Sequence, residues 1–165
     1  MSLTSELLEK YFEINNNTNE LNFGMERFEG IEPDAFKNCR DRKIRSLCLV
    51  AKNLNGEHLS LFEPLKEHLE ELDLNCYFGC EFNFLQHLSN LKKLRLIIYQ
   101  IRKPMFKAAN NQLTHLDLSN YKLEISDKAV FNDLKCLKHL DLSKVKLIFD
   151  VLPDLFQELK QLDTL

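Results

Sequence analysis

The chain has 165 residues, a formal net charge of −3 and a pI of about 6.0, with 44 % apolar and 28 % charged residues. That is an ordinary globular composition, and its slight acidity disfavours a protein whose main task is gripping phosphate backbones, so nucleic acid is not an expected partner. No apolar run approaches the roughly 20 residues of a membrane helix, and the five cysteines (Cys39, Cys48, Cys76, Cys80 and Cys136) show no paired C-x-x-C zinc spacing.

Residues 1–17 come first. "MSLTSELLEKYFEI" is acidic and amphipathic and lacks the basic and apolar regions of a signal peptide. Leu3, Leu7, Leu8 and Phe12 are spaced for one face of a short helix, with Ser5 as its expected N-cap. The segment reads either as an N-terminal cap or as the second half of a truncated preceding repeat. Asn16-Asn17-Thr18 is a glycosylation sequon, which makes Asn16 a glycan acceptor if the protein is secreted; the alternative is chance, because "NNNTN" supplies such a triplet easily.

Residues 18–165 repeat one pattern, L-x-x-L-x-L-x-x-N-x-L. The fullest copies are "LTHLDLSNYKLEI" from Leu113 and "LKHLDLSKVKLIF" from Leu137. Earlier copies carry Leu91, Leu94, Leu96 and Ile101; Leu69, Leu72 and Leu74; Ile44, Leu47, Leu49 and Leu54; and, more weakly, Thr18, Leu21, Phe23 and Phe28. A seventh begins at Leu162. The starts 18, 44, 69, 91, 113, 137 and 162 give periods of 26, 25, 22, 22, 24 and 25. All fall in the band of leucine-rich repeats, so the expected fold class is α/β. The expected architecture is a solenoid of six repeats plus the start of a seventh, with a curved parallel sheet on its concave face and short helical or irregular segments on the convex face. Leucines two apart point to one side of a strand, and one copy cannot bury them alone.

The second half of each repeat carries a phenylalanine. Phe36, Phe62, Phe131 and Phe156 recur, with Phe84 and Phe106 earlier in the two shorter copies, and Leu65, Leu134 and Leu159 follow three residues after the last three of the first set. These are expected to fill the wide convex side. The asparagine of the template is missing: its place holds Glu26, Lys52, Tyr77, Tyr99, Tyr121 and Val145. The usual amide ladder is therefore expected to be absent, with either an internal tyrosine stack or outward-bending turns in its stead. The chain stops at Leu165 within a strand motif, from which we expect either a fragment or an unusual member capped by something else, with end-to-end association or fraying after about Gln157.

No G-x-S-x-G, P-loop or H-E-x-x-H occurs, so neither enzymatic chemistry nor a cofactor is expected. The informative surface is the strand face opposite the leucines. Its register brings Glu70 to Lys92, Glu71 to Lys93, and Asp73 and Asp117 to Arg95; such pairs set register or form a binding stripe. Val50, Ala51, Cys76, Ile97 and Ile98 are expected to add an exposed apolar patch, either a contact site or a surface under a neighbouring loop. Together Val50, Cys76, Lys93, Arg95, Ile97, Ile98 and Asp117 form the expected partner site. His115, Asp117, His139 and Asp141 should form a two-by-two array, either His–Asp pairs with raised imidazole pKa values or a divalent-metal site.

The phrases "IEPDAFKNC", "AVFNDLKCLKHLDLS" and "DVLPDLFQELKQLDTL" resemble the typical leucine-rich repeats of Toll-like receptor ectodomains, over roughly residues 18–165. The cysteine-clustered caps of extracellular members are not seen. The resemblance implies a non-enzymatic recognition module on the concave face, with a microbial ligand or co-receptor as partner and an extracellular or endosomal setting. The other reading is a cytoplasmic leucine-rich-repeat adaptor or substrate receptor.

Overall fold

The computed structural model describes residues 1–16, 18–54, 60–78, 82–99, 101, 105–106, 112–120, 122–147 and 152–165. Strand β1 (Ser2–Leu3) leads into helix α1 (Ser5–Ile14). Thr4, not Ser5, caps the helix: its backbone is extended and its hydroxyl accepts the Leu7 N–H at 3.1 Å, while Ser5 is already helical and buried. Leu8 and Phe12 bury the inner face of α1, and the Arg42 guanidinium lies 3.9 Å over the Phe12 ring and 2.8 Å from Glu9.

Strand β2 (Glu20–Phe28) follows, and Tyr11 of α1 packs on it, ring against Phe23 at 4.7 Å, its hydroxyl accepting the Asn22 N–H at 3.3 Å. Then come β3 (Gly30–Ile31), β4 (Ser46–Asn53), β5 (Glu71–Phe78), β6 (Lys93–Ile97), β7 (His115–Asp117), β8 (Glu124–Ile125), β9 (His139–Asp141), β10 (Lys146–Leu147) and a short helix α2 (Leu152–Leu155). The main sheet has six strands, all parallel, in the order β2-β4-β5-β6-β7-β9. Two small parallel pairs, β1 with β3 and β8 with β10, lie outside it.

The register follows the repeat. Leu21 pairs with Leu47, Leu47 with Leu72, Leu72 with Leu94, Leu94 with Leu116 and Leu116 with Leu140. Each strand thus sits one sequence period from its neighbour. These leucines and their partners two residues on, Phe23, Leu49, Leu74, Leu96 and Leu118, are all buried in one continuous core. The return segments close the far side of that core. Among the described residues three are 3-10 helices, Lys37–Arg42, Glu63–Leu65 and Asn83–His87. The phenylalanines make the expected column: Phe36 to Phe62 at 6.0 Å, Phe62 to Phe84 at 4.3 Å, Phe106 to Phe131 at 6.3 Å, with Phe156 half-buried against the same core. Leu65, Leu134 and Leu159 are buried beneath them.

Two expectations are corrected here. The apolar patch is not exposed: Ala51, Cys76 and Ile98 are 0 %, 2 % and 3 % accessible. β4 and β5 run for eight residues, so the two-residue alternation that begins with the leucines continues and turns Ala51 and Cys76 to the core, and Ile98 follows the same parity after β6. Val50 has the opposite parity but is also buried, and Ile97 is half-buried. Cys76 is moreover disulfide-bonded, whereas Cys39, Cys48 and Cys136 are free thiols.

The amide bridge is present in at least one turn, displaced by one residue. Asn120, just before Tyr121, is buried; its Nδ2 donates to the Ile98 carbonyl at 2.6 Å, and its Oδ1 accepts the Lys122 N–H at 3.0 Å. The expected tyrosine stack falls on Tyr121 and the Tyr77 side chain, which lie outside the described residues; Tyr99 carries Lys122 Nζ 5.0 Å from its ring centroid. Among the described residues no helix is long and apolar enough to cross a membrane.

Candidate functional site

The face of the sheet opposite the leucines is polar and open. Strand pairing lays its side chains out in rows. One row runs Glu20, Ser46, Glu71, Lys93, His115 and His139, and Thr164 extends it by a bridge to His139. The next runs Asn22, Cys48, Asp73, Arg95, Asp117 and Asp141. Between them lies a groove of ≈ 670 Å³ that reaches from Asn22 to Leu165.

The expected ion pairs form. Lys92 reaches Glu70 at 3.1 Å and Lys93 reaches Glu71 at 2.6 Å. Arg95 is the centre of the second row, with Nη1 3.0 Å from Asp73 and Nε 3.0 Å from Asp117. Partial burial works against its charge, but the two carboxylates outweigh it and hold the guanidinium firmly protonated. The bond from Lys92 holds the Glu70 carboxyl below its usual range. Burial raises the Cys48 thiol, and Asp73 alongside adds to that, so Cys48 is a poor nucleophile at neutral pH.

The His–Asp array is rearranged. His115 and His139 face each other rather than the carboxylates: their rings stack with centroids 4.2 Å apart and planes at 28°. His115 Nδ1 lies 2.9 Å from the Thr114 hydroxyl and His139 Nδ1 3.1 Å from that of Thr164. Asp117 and Asp141 turn to their own backbones, each accepting an N–H two residues on, Ser119 and Ser143, at 2.8 Å. The expected rise in imidazole pKa is therefore reversed at His115. Burial lowers it first, then the neighbouring His139 and Lys93, against the opposing pull of Glu71. The Ser143 hydrogen bonds hold the Asp141 carboxyl low. Among the described residues no three or more His, Cys, Asp or Glu side chains are grouped so as to share one metal ion.

Lys93, Arg95 and Asp117 line the groove, and half-buried Ile97 follows them in the same parity on β6 without lining it, while Val50, Cys76 and Ile98 do not reach the open face as exposed groups. Asn16 is apart from the groove, exposed, just after α1 and in the left-handed region at φ 51°. Thr114 is the residue that sequence reasoning passed over, and the signal for it was its place before the histidine in "LTHL". No protein-family model matches the chain, and no curated protein matches it.

Proposed function

We propose that the chain is a leucine-rich-repeat solenoid segment that recognises a protein or other macromolecule through the concave face of its sheet, without enzymatic chemistry, as part of an innate immune receptor ectodomain of the Toll-like kind. The observation that carries the reading is the asymmetry of the sheet. One face is filled by a continuous apolar core, and the other is an open groove lined by register-aligned charged and polar rows. A large open polar sheet face is a surface built for contact rather than for stability, since exposed ion pairs contribute little to folding. The disulfide at Cys76 supports an oxidising compartment and hence an ectodomain. The adaptor reading draws on a free N-terminal recruiting helix, and α1 instead spends its apolar face on the core.

A panel of microbial ligands and co-receptor ectodomains, measured by biolayer interferometry, tests this. For a ligand that binds, Ile97→Asp and Lys93→Ala weaken affinity by about tenfold or more, as expected for a contact whose loss is worth 1.4 kcal/mol. Both variants keep the wild-type circular dichroism, and Lys128→Ala, remote from the groove, binds normally. Binding that ignores both substitutions on this face overturns the reading.

A further inference from the structure

We propose that Asn16 carries an N-linked oligosaccharide that covers the end of the molecule built from β1, α1 and β2. Asn16-Asn17-Thr18 is the one Asn-x-Ser/Thr triplet in the chain, and its middle residue is not proline. The proposal rests on the ectodomain reading: disulfide formation and oligosaccharide transfer belong to the same secretory compartment, and Cys76 is disulfide-bonded. In the transfer, Asn16 Nδ2 forms a bond to the anomeric carbon of a lipid-diphosphate-linked oligosaccharide. The bond from that carbon to the diphosphate breaks with its electron pair, and the carboxamide gives up one proton.

The left-handed backbone at Asn16, φ 51°, explains an asparagine here without any sugar, since Asn enters that region readily and often stands just past a helix end. It explains neither the threonine two residues on nor the surroundings. Glu13, Ile14, Asn15 and Asn16 are all exposed. The Asn15 carboxamide is bound to the Tyr11 carbonyl at 2.8 Å, whereas among the described residues no hydrogen bond holds that of Asn16. Four large apolar side chains are exposed among the described residues: Met1 at 67 %, Ile14 at 79 %, Met25 at 96 % and Leu165 at 68 %. Three of the four belong to this one end. Ile14 closes α1, two residues before Asn16; Met25 lies in β2, on which α1 packs through Tyr11; and the Met1 carbonyl accepts the Glu29 N–H at 3.0 Å, just past β2. A bulky, hydrophilic chain at the α1–β2 connection keeps such surface from other molecules. Asn16 does not line the groove, so the sugar leaves the partner's face open.

The chain is expressed behind a cleavable secretory leader in animal cells. The total pool, cell-associated and secreted, is resolved by electrophoresis and intact mass before and after treatment with an amidase that removes N-linked sugars. One oligosaccharide is expected, released by the amidase with conversion of the Asn16 carboxamide to a carboxylate. Asn16→Asp, which tolerates the left-handed backbone, and Thr18→Ala each abolish the modification. Thr18→Ser retains it, because it keeps both the triplet and the hydroxyl that accepts the Glu20 N–H at 3.0 Å. In light scattering the two bare variants associate at lower protein concentration than the modified chain. A wild-type chain of bare mass, or sugar that survives both Asn16→Asp and Thr18→Ala, overturns the proposal, and equal association of modified and bare chains removes the covering role. A bare chain whose partner binding still responds to Ile97→Asp and Lys93→Ala leaves the recognition reading standing, so the two failures are told apart.

Discussion

The two ends of the six-stranded sheet share the same leucine pair and finish their strands differently. β4 and β5 extend for eight residues each, whereas β7 and β9 stop after three. One difference is what sits between the leucines. In β7 and β9 it is an aspartate that accepts the N–H of a serine two residues on, an Asx-turn that withdraws that amide from the ladder. In β4 the same place holds Cys48, a weak acceptor, and in β5 it holds Asp73, which among the described residues bonds Arg95 and no backbone amide two residues on. The turn does not fix strand length by itself, because Asn22 accepts the Gly24 N–H at 3.0 Å in the same way and β2 still runs for nine residues. The leucines set where a strand begins; the turn accompanies the short strands.

The sharpest test of this division is whether it is one of stability as well as form. Leu74→Ala in β5 deletes a fully buried side chain and is expected to cost about 2–5 kcal/mol in urea unfolding. Because one core runs through both halves, hydrogen exchange should accelerate in β7 and β9 as well; exchange confined to β2–β5 would separate the sheet into two cooperative units. Next comes Asn120→Ala. It strands the Ile98 carbonyl in a buried site, and we expect a loss of about 1–3 kcal/mol, read by the same unfolding curve, with exchange rising first around β6 and β7. Wild-type stability in this variant would mean that the displaced amide bridge is ornamental.

Acidification should divide the two ends. The His115 pKa is lowered in the folded state from its ordinary 6.5. Above that value its contribution is complete; as pH falls through it the unfolded chain takes up the proton first, and stability is lost until the folded pKa is passed. Asp141 behaves in the same sense lower down: its contribution is present above the ordinary carboxyl value of 3.8 and is lost as pH falls through its depressed folded pKa. Between those windows β7 and β9 should lose exchange protection before β4 and β5, and His115→Gln should remove the difference. Equal protection at mildly acid and neutral pH would contradict it. The smallest effect belongs to Lys93→Ala. Its pair with Glu71 is half-exposed, so we expect about 0.2–1 kcal/mol at low salt and nothing measurable in molar salt.

The leucine spacing made the parallel register readable, and with the register came Glu71–Lys93 and the Asp73–Arg95–Asp117 bridge, since neighbours in a parallel ladder follow from counting. The failures lie where counting gives way to turn chemistry. Ala51, Cys76 and Ile98 were placed outward because the template says nothing about a strand that outlasts it. Asn120 escaped notice because a backbone turn can recruit an amide one residue early. The two histidines were matched to the aspartates on charge, yet each aspartate found a backbone amide two residues on, and stacking took the rings instead. Thr4 outranked Ser5 because a cap must itself be non-helical, which composition alone does not disclose.

The Tyr11 hydroxyl that accepts the Asn22 amide has a bearing on assembly. A filament of copies joined head to tail needs both outer strands of the sheet to be free, one edge to offer and one to receive. The β2 edge has α1 lying against it, with an amide already bonded and a tyrosine ring seated on Phe23. Propagation through that edge would require the helix to be peeled away, exposing Leu8 and Phe12 to water. The docked helix thus guards the β2 edge against pairing with another strand.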